Sequence, residues 1–149
     1  MKAADQEPMG LALASARRAL LAGEVPVGAC LVWGERSLAA HNHVIAHADP
    51  TAHAEMEVIR AAARQWSSWS AADSRLYVTV EPCPMCLGAC HYAGIRDIVY
   101  AVSLADFHQL TGGEFMAPLK GGAILTGDCC RTESWELLQT WAARQAASA

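Results

Sequence analysis

Two short motifs constrain the fold of this chain more than any other feature of its sequence. The first, His-Ala-Glu, lies at residues 53–55, and the second, Pro-Cys-Pro-Met-Cys, lies at residues 82–86. Each motif follows a polar turn and precedes apolar residues at helical spacing, so each is expected at the start of a helix. A fold that uses the two motifs together must bring these two helix starts face to face.

The residue types in the two motifs are those of a metal site. Cys83 and Cys86 lie three positions apart on one face of a first helical turn, where the helix dipole favours the thiolate form. The imidazole of His53 completes three ligands of the kind that bind zinc. Because three protein ligands leave the fourth tetrahedral position to water, we expect a catalytic site with one Zn²⁺ per chain.

A carboxyl group is available for proton transfer in this site. Glu55 follows His53 by two residues, so it can reach a bound water without being a fourth ligand, and it is the expected catalytic acid/base. Taken alone, the Cys-x-x-Cys pair also suits a structural zinc knuckle or a redox pair. A structural site would need a second such pair, and Cys129 and Cys130 lack that spacing.

Composition narrows the domain count and the range of partners. Hydrophobic residues make up 53% of the 149 residues, which favours a single domain at residues 1–149. The net charge of −4 disfavours nucleic acid as the partner without excluding it. No apolar run approaches the roughly 18 to 20 residues that span a bilayer, so no membrane partner is expected. Six cysteines in a chain without an evident export signal are expected to be thiols and metal ligands, which favours the cytoplasm.

The apolar pattern predicts an α/β sandwich in which helices cover a mixed sheet. An initial helix and a hairpin precede alternating strands and helices, and the glycine-rich segment 104–122 is ambiguous. The predicted strands are residues 27–32, 38–42, 75–80 and 97–101, with an edge strand at 123–126. The predicted helices are residues 9–22, 52–65, 85–93 and 132–147.

Three segments carry a resemblance to a known superfamily. They are GEVPVGA at residues 23–29, DPTAHAE at 49–55 and EPCPMCLGA at 81–89. The His-x-Glu and Pro-Cys-x-x-Cys signature is that of zinc nucleobase deaminases. The chain resembles the cytidine-deaminase-like superfamily over nearly its whole length, within the branch of bacterial guanine deaminases and tRNA adenosine deaminases.

The resemblance implies a three-layer α/β/α sandwich with a five-stranded mixed sheet, commonly in a homodimer. It also implies that a zinc-activated water attacks an amino-bearing ring carbon while Glu55 protonates the ring nitrogen and then the departing amine. Asn42 matches an asparagine that hydrogen-bonds the base. Backbone groups of Ala54 and Glu81 are implied near the attacking oxygen and the leaving amine.

The motifs point to more than one substrate. Pro84 and Leu87 look more like guanine deaminases, whereas residues 23–29 look like the tRNA enzymes. His43 stands where the tRNA enzymes often carry an arginine, and this departure weakens the case for RNA. We therefore expect a free purine base or nucleoside, guanine first, with tRNA adenosine second and cytosine or cytidine third. From another class, a catalytically idle, zinc-stabilised binding subunit stays open, although the presence of Glu55 argues against it.

The segment after residue 102 often closes over the ring in this superfamily. Its polar and aromatic side chains are therefore pocket candidates, although an ordinary loop role is the commoner one for each. These candidates are Asp106, His108, Glu114 and Phe115. Outside the motifs, Cys30 and Cys90 are expected to be small core residues.

Overall fold

A computed structural model describes residues 3–111 and, further along the chain, residues 131, 132, 135, 139 and 140. The chain forms two compact units, residues 1–117 and 118–149. The described residues of the second unit are helical, and there the Arg131 guanidinium lies 5.7 Å from the centre of the Trp135 ring. All elements named below belong to the first unit, and the single domain at residues 1–149 stays a prediction.

Four helices and four strands make up the described part of the first unit, together with two single-turn 3-10 helices at Ala3–Asp5 and Ala71–Asp73. The helices are α1 (Gln6–Leu21), α2 (Ala54–Gln65), α3 (Pro84–Ala93) and α4 (Leu104–Thr111). The strands are β1 (Gly28–Trp33), β2 (Arg36–His41), β3 (Ser74–Val80) and β4 (Asp97–Val102).

The four strands form one mixed sheet in the order β2-β1-β3-β4. β1 pairs antiparallel with β2 and with β3, whereas β3 pairs parallel with β4. The parallel pair is joined through α3, because parallel neighbours need a crossover connection. The loops that follow β2 and β3 lead directly into α2 and α3, which places both sequence motifs after strands of the same sheet.

Alternation along the strands directs apolar side chains to both faces of the sheet. On one face Leu31 and Leu76 are opposite one another and pack in a buried cluster with Val58 of α2. On the other face Cys30 is opposite Tyr77, and both pack against α1. Helices therefore cover both faces, which confirms the predicted three-layer α/β/α architecture.

Close approach of α1 to the sheet requires a glycine at the start of β1. A Cβ added at Gly28 would lie 2.0 Å from the carbonyl oxygen of Ala12 and 2.5 Å from the backbone nitrogen of Ala16. The helix residues at this contact, Ala12, Ser15 and Ala16, are small and buried. Backbone-to-backbone packing of this kind leaves no room for a side chain.

The structure differs from the sequence-based expectations in two places. The sheet has four described strands rather than five, since the predicted strand at residues 123–126 lies outside the described residues. Within the ambiguous segment that begins at residue 104, the structure has a helix, α4. No helix in the described part of the chain is both long enough and apolar enough to cross a membrane.

Candidate metal centre and active site

The two sequence motifs lie at the N-termini of α2 and α3. His53 and Cys83 are the N-cap residues of these helices, and both have extended backbone conformations. The first helical residue of α3 is Pro84, which lacks the N–H that would otherwise be unpaired there. The helices begin at Ala54 and Pro84, so the predicted starts at 52 and 85 are wrong by two residues and one residue respectively.

The three predicted metal ligands converge at this point. The Nδ1 atom of His53 lies 3.6 Å from the Sγ atom of Cys83 and 3.6 Å from the Sγ atom of Cys86. Around a tetrahedral Zn²⁺ with ordinary bond lengths, a nitrogen and a sulfur ligand are about 3.6 Å apart. The three ligand atoms lie within 4.8 Å of one another, so the group fits one Zn²⁺.

The two thiols of the group have different protonation states, because a hydrogen bond joins them. The hydrogen bond from Cys86 is the main cause that lowers the pKa of Cys83, to about 4, and the nearby His53 lowers it further. The same hydrogen bond, together with burial, raises the pKa of Cys86. Cys83 is therefore a thiolate at neutral pH, and binding of a cation replaces the proton on Cys86.

Glu55 lies in the first turn of α2 beside this group. Its side chain is buried, with 3% of the residue exposed, and burial is the main cause that raises its pKa. The negative charge of the neighbouring Cys83 raises the pKa of Glu55 further. A carboxyl group with a raised pKa can both accept and release a proton near neutral pH, which is the property an acid/base requires.

Asn42 and the start of α2 are held together by a long-range hydrogen bond. The backbone N–H of Ala54 donates to Oδ1 of the buried Asn42 at 3.0 Å. The backbone of the next residue, His43, donates to the carbonyl oxygen of Ala52 at 2.9 Å. The loop between β2 and α2 therefore closes on itself, and Asn42 lies beside His53 in the same pocket.

Glu81 joins the loop after β3 to the loop after β4. Its backbone N–H donates to the carbonyl oxygen of Val102 at 2.8 Å. Its carboxylate accepts the backbone N–H of Leu104 at 2.8 Å, which satisfies a free donor at the N-terminus of α4. Glu81 thus fixes α4 against the edge of the pocket.

The pocket combines these polar groups with an apolar wall. Sequence reasoning identified the polar residues but missed the apolar ones, although Val25 and Val27 belong to the segment at 23–29 that carries the resemblance. An apolar wall with few polar groups suits a flat, mostly buried ring. The lining residues are Val25, Val27, Asn42, His53, Glu55, Val80, Glu81, Cys83, Leu104 and Phe107.

Two of the four further pocket candidates, Asp106 and His108, are described, and neither lines this pocket. Asp106 is exposed and exchanges hydrogen bonds with Ser103, which caps α4. His108 follows Phe107 on α4, but His108 does not line the pocket, whereas Phe107 does. Glu114 and Phe115 lie outside the described residues.

The two remaining described cysteines are core residues. Cys30 and Cys90 are almost completely buried, and burial raises the pKa of each thiol to about 11. Neither thiol is therefore ionised at neutral pH, which agrees with the expected packing role.

The fold and the His-Cys-Cys group define a zinc-binding α/β domain. The chain belongs to the family described as the cytidine and deoxycytidylate deaminase zinc-binding region, whose model matches residues 2–102. This match confirms the superfamily resemblance that the sequence motifs indicated.

Individual relatives differ in their described activities. The chain is 49% identical over 128 residues to the tRNA(Ile)-lysidine synthase of Thermus thermophilus, a match to 85% of this chain and 24% of that protein. It is 41% identical to the tRNA-specific adenosine deaminase of Haemophilus influenzae, over 66% of this chain and 58% of that protein. The matched region thus spans less than two thirds of either relative.

A solved structure is similar over almost the whole chain. The crystal structure of guanine deaminase from Bacillus subtilis superposes with a TM-score of 0.77 and 29% sequence identity. The match covers 95% of this chain and 94% of that one.

Proposed function

We propose that this protein is a zinc-dependent hydrolytic deaminase that converts an amino-substituted nucleobase to its carbonyl form and releases ammonia. The observation that carries the proposal is the buried Glu55 carboxyl, with its raised pKa, in one pocket with His53 and Cys83. A structural zinc site needs no such acid/base group, whereas hydrolysis at a ring carbon does.

The residues of the pocket have distinct roles in this proposal. His53, Cys83 and Cys86 hold the metal. A Zn²⁺ ion held there would supply Lewis acidity, which would lower the pKa of the attacking water towards about 7. Glu55 would accept one proton from the attacking water and pass it to the ring nitrogen. It would then accept the second proton of the same oxygen and pass it to the departing amine. The C–N bond breaks, ammonia leaves, and a ring carbonyl remains.

Other groups orient the base. Asn42 is oriented by its hydrogen bond from Ala54 and contributes amide hydrogen bonds to the ring. In this proposal, backbone groups of Ala54 and Glu81 are next to the attacking oxygen and the leaving amine. In the structure without substrate, the N–H of Ala54 donates to Asn42 and the N–H of Glu81 donates to Val102. Leu104 and Phe107 enclose the ring from α4. Together these contacts exclude water from the face of the base.

A free purine, guanine first, is the substrate that we propose. Similarity to the B. subtilis guanine deaminase over 95% of the chain supports this choice. The net charge of −4 also favours a small substrate over a polyanion.

The second candidate is adenosine in tRNA. Sequence identity of 41% to the H. influenzae tRNA-specific adenosine deaminase favours it, because that value exceeds the 29% identity to the guanine deaminase. Cytosine or cytidine is the third candidate, supported by the family description.

We further propose that the protein forms a homodimer and is located in the cytoplasm. One face of α3 exposes apolar side chains two turns apart, with Met85 37% exposed and Tyr92 93% exposed. Apolar side chains grouped on one surface are typical of protein interfaces, and two-fold dimers are the commonest assemblies. The free thiols of Cys30 and Cys90 support a reducing compartment.

A screen for ammonia release tests the function. Zinc-loaded protein is incubated with guanine, guanosine, adenine, adenosine, cytosine, cytidine and tRNA, with salt varied for any tRNA signal. We expect guanine to react fastest. Release from tRNA alone would replace guanine with the second candidate, and release from none would favour a zinc-stabilised binding subunit.

Two variants test the role of Glu55. Glu55→Gln is expected to keep one zinc per chain and to lower turnover by about 10² to 10⁴-fold, because the proton carrier is removed. The matched control, Glu35→Gln, changes an exposed carboxyl in the β1–β2 turn and should turn over like the wild type. Full activity of Glu55→Gln would contradict the proton role.

A further inference from the structure

A second group of metal-binding side chains lies outside the candidate active site. His43 and His47 come from the loop between β2 and α2, and Glu57 comes from the first turn of α2. The loop makes a single helical turn, in which the backbone N–H of His47 donates to the carbonyl oxygen of His43 at 2.9 Å. This turn stacks the two imidazole rings, whose centres are 4.7 Å apart and whose planes differ by 9°.

Both imidazoles face the same carboxylate oxygen. The Nδ1 atoms of His43 and His47 lie 3.7 Å and 3.9 Å from Oε2 of Glu57. Nitrogen and oxygen ligands of a tetrahedral zinc ion are about 3.4 Å apart. The two Nδ1–Oε2 distances exceed this value by about 0.3 and 0.5 Å, and they are too long for direct hydrogen bonds. Because the two rings are nearly parallel, at least one imidazole must rotate for both nitrogens to bind one ion.

The surroundings leave these atoms available to a cation. Nδ1 of His43 is buried and has no hydrogen-bond partner among the described residues. The other carboxylate oxygen of Glu57 accepts a hydrogen bond from Arg60 at 3.2 Å, which keeps Oε2 turned towards the histidines. Two imidazoles and one carboxylate form a donor set that suits zinc and similar divalent transition metals.

We propose that His43, His47 and Glu57 are the ligands of a second divalent transition-metal ion, and that this ion is Zn²⁺. The ion would link the loop at residues 43–52 to α2. This loop runs from Asn42 to His53, so the ion would restrain both ends of a segment that borders the active-site pocket. The proposal is independent of the deaminase activity, since it concerns different side chains.

Titration with Co²⁺ tests the second site by stoichiometry and by spectrum. Thiolate ligands give a sulfur-to-cobalt charge-transfer band, so that band reports only on the site of Cys83 and Cys86. We expect wild-type protein to bind two Co²⁺ per chain, one with this band and one without it. Binding of one Co²⁺ per chain, with the band, would overturn the proposal.

Substitutions of the proposed ligands can be compared with substitutions of histidines that are not proposed to bind the ion. His47→Gln and Glu57→Gln should lose the ion that lacks the charge-transfer band and keep the ion that has it, which also shows that these variants fold. The matched control His91→Gln changes an exposed histidine on α3 and should still bind two ions. A second control, His41→Gln, removes the imidazole that stacks on His43 without being a proposed ligand. Persistence of the second ion in both His47→Gln and Glu57→Gln would overturn the assignment.

Hydrogen exchange tests the link between loop and helix. Zn²⁺ added beyond one equivalent is expected to slow amide exchange at residues 43–52 by at least about tenfold in the wild type. The same addition should leave exchange in His47→Gln unchanged. Equal protection in the two proteins would overturn the link.

Discussion

Glu24 shows how one buried charge holds a loop beside the pocket. Its side chain is buried, and its carboxylate accepts the backbone N–H groups of Ile45 and Ala46 at 2.9 Å each. Desolvation raises the pKa of Glu24, but the hydrogen bonds from Ala46 and Ile45 outweigh it and hold the pKa below its usual value of 4.5. The ionised form is therefore the one that stabilises the fold.

A pH-dependent stability difference follows for Glu24→Gln. Because the folded-state pKa is lowered, the stabilisation by the carboxylate is fully present above pH 4.5 and is lost as the pH falls through the folded-state value. We expect the variant to unfold at a lower urea concentration than the wild type at pH 7, and the gap to shrink below pH 4.5. Unfolding curves across this range measure it, and a gap that widens in acid would contradict the assignment.

The candidate metal ligands and the acid/base candidate could be predicted from short-range sequence spacing. The spacing of Cys83 and Cys86 puts two thiols on one helical turn, and Glu55 lies close to His53 in the chain. Such relationships span fewer than five residues, so they hold in any fold that forms the two helices. The roles assigned to these residues are proposals that the variants above test.

At the scale of elements, the contact between α1 and β1 depends on glycine. Gly28→Ala would place a methyl group against helix backbone at 2.0 Å, which no side-chain rotation relieves. We expect a loss of stability of about 1–3 kcal/mol or more, because the helix must move away from the sheet. The free energy of unfolding in urea measures this loss.

Gly10→Ala is the matched control in the same helix. A Cβ at Gly10 meets nothing within 4 Å, and the residue is exposed in the middle of α1. Alanine there should stabilise the protein by about 0.5–1 kcal/mol, since it reduces the entropy that the unfolded chain loses. If the two variants were equally stable, close backbone packing would not explain Gly28.

Most elements were predictable from apolar periodicity, and one was not. The four described strands and the first three helices begin and end within three residues of their predicted positions. α4 lies at the start of a glycine-rich segment, so its pattern was ambiguous. Its N-terminus is stabilised by Ser103 and Asp106, a local capping signal, and by the distant carboxylate of Glu81. The contact between Ser103 and Asp106 depends on residues three apart in the sequence, whereas the contact of Glu81 with the start of α4 depends on the fold.

At the scale of the whole molecule, the exposed surface of α3 predicts self-association. Tyr92→Glu places a charge on a position that is 93% exposed in a single chain. We expect sedimentation to show a dimer for the wild type and a shift to monomer for Tyr92→Glu, because a buried, unpaired charge opposes the interface. The control Leu21→Glu changes an equally exposed side chain on α1 and should remain dimeric. A monomeric wild type would contradict the proposed homodimer.

The sequence by itself determined the layer architecture, the candidate metal ligands and the acid/base candidate. Strand alternation, helical spacing and the chemistry of histidine, cysteine and glutamate are local properties, so they can be inferred from the sequence alone. Only the tertiary structure decided which side chains from distant elements share a space: the apolar pocket wall with Leu104 and Phe107, and the convergence of His47 with Glu57. Such distances depend on how a loop closes and how helices pack on the sheet, and residue spacing along the chain does not encode them.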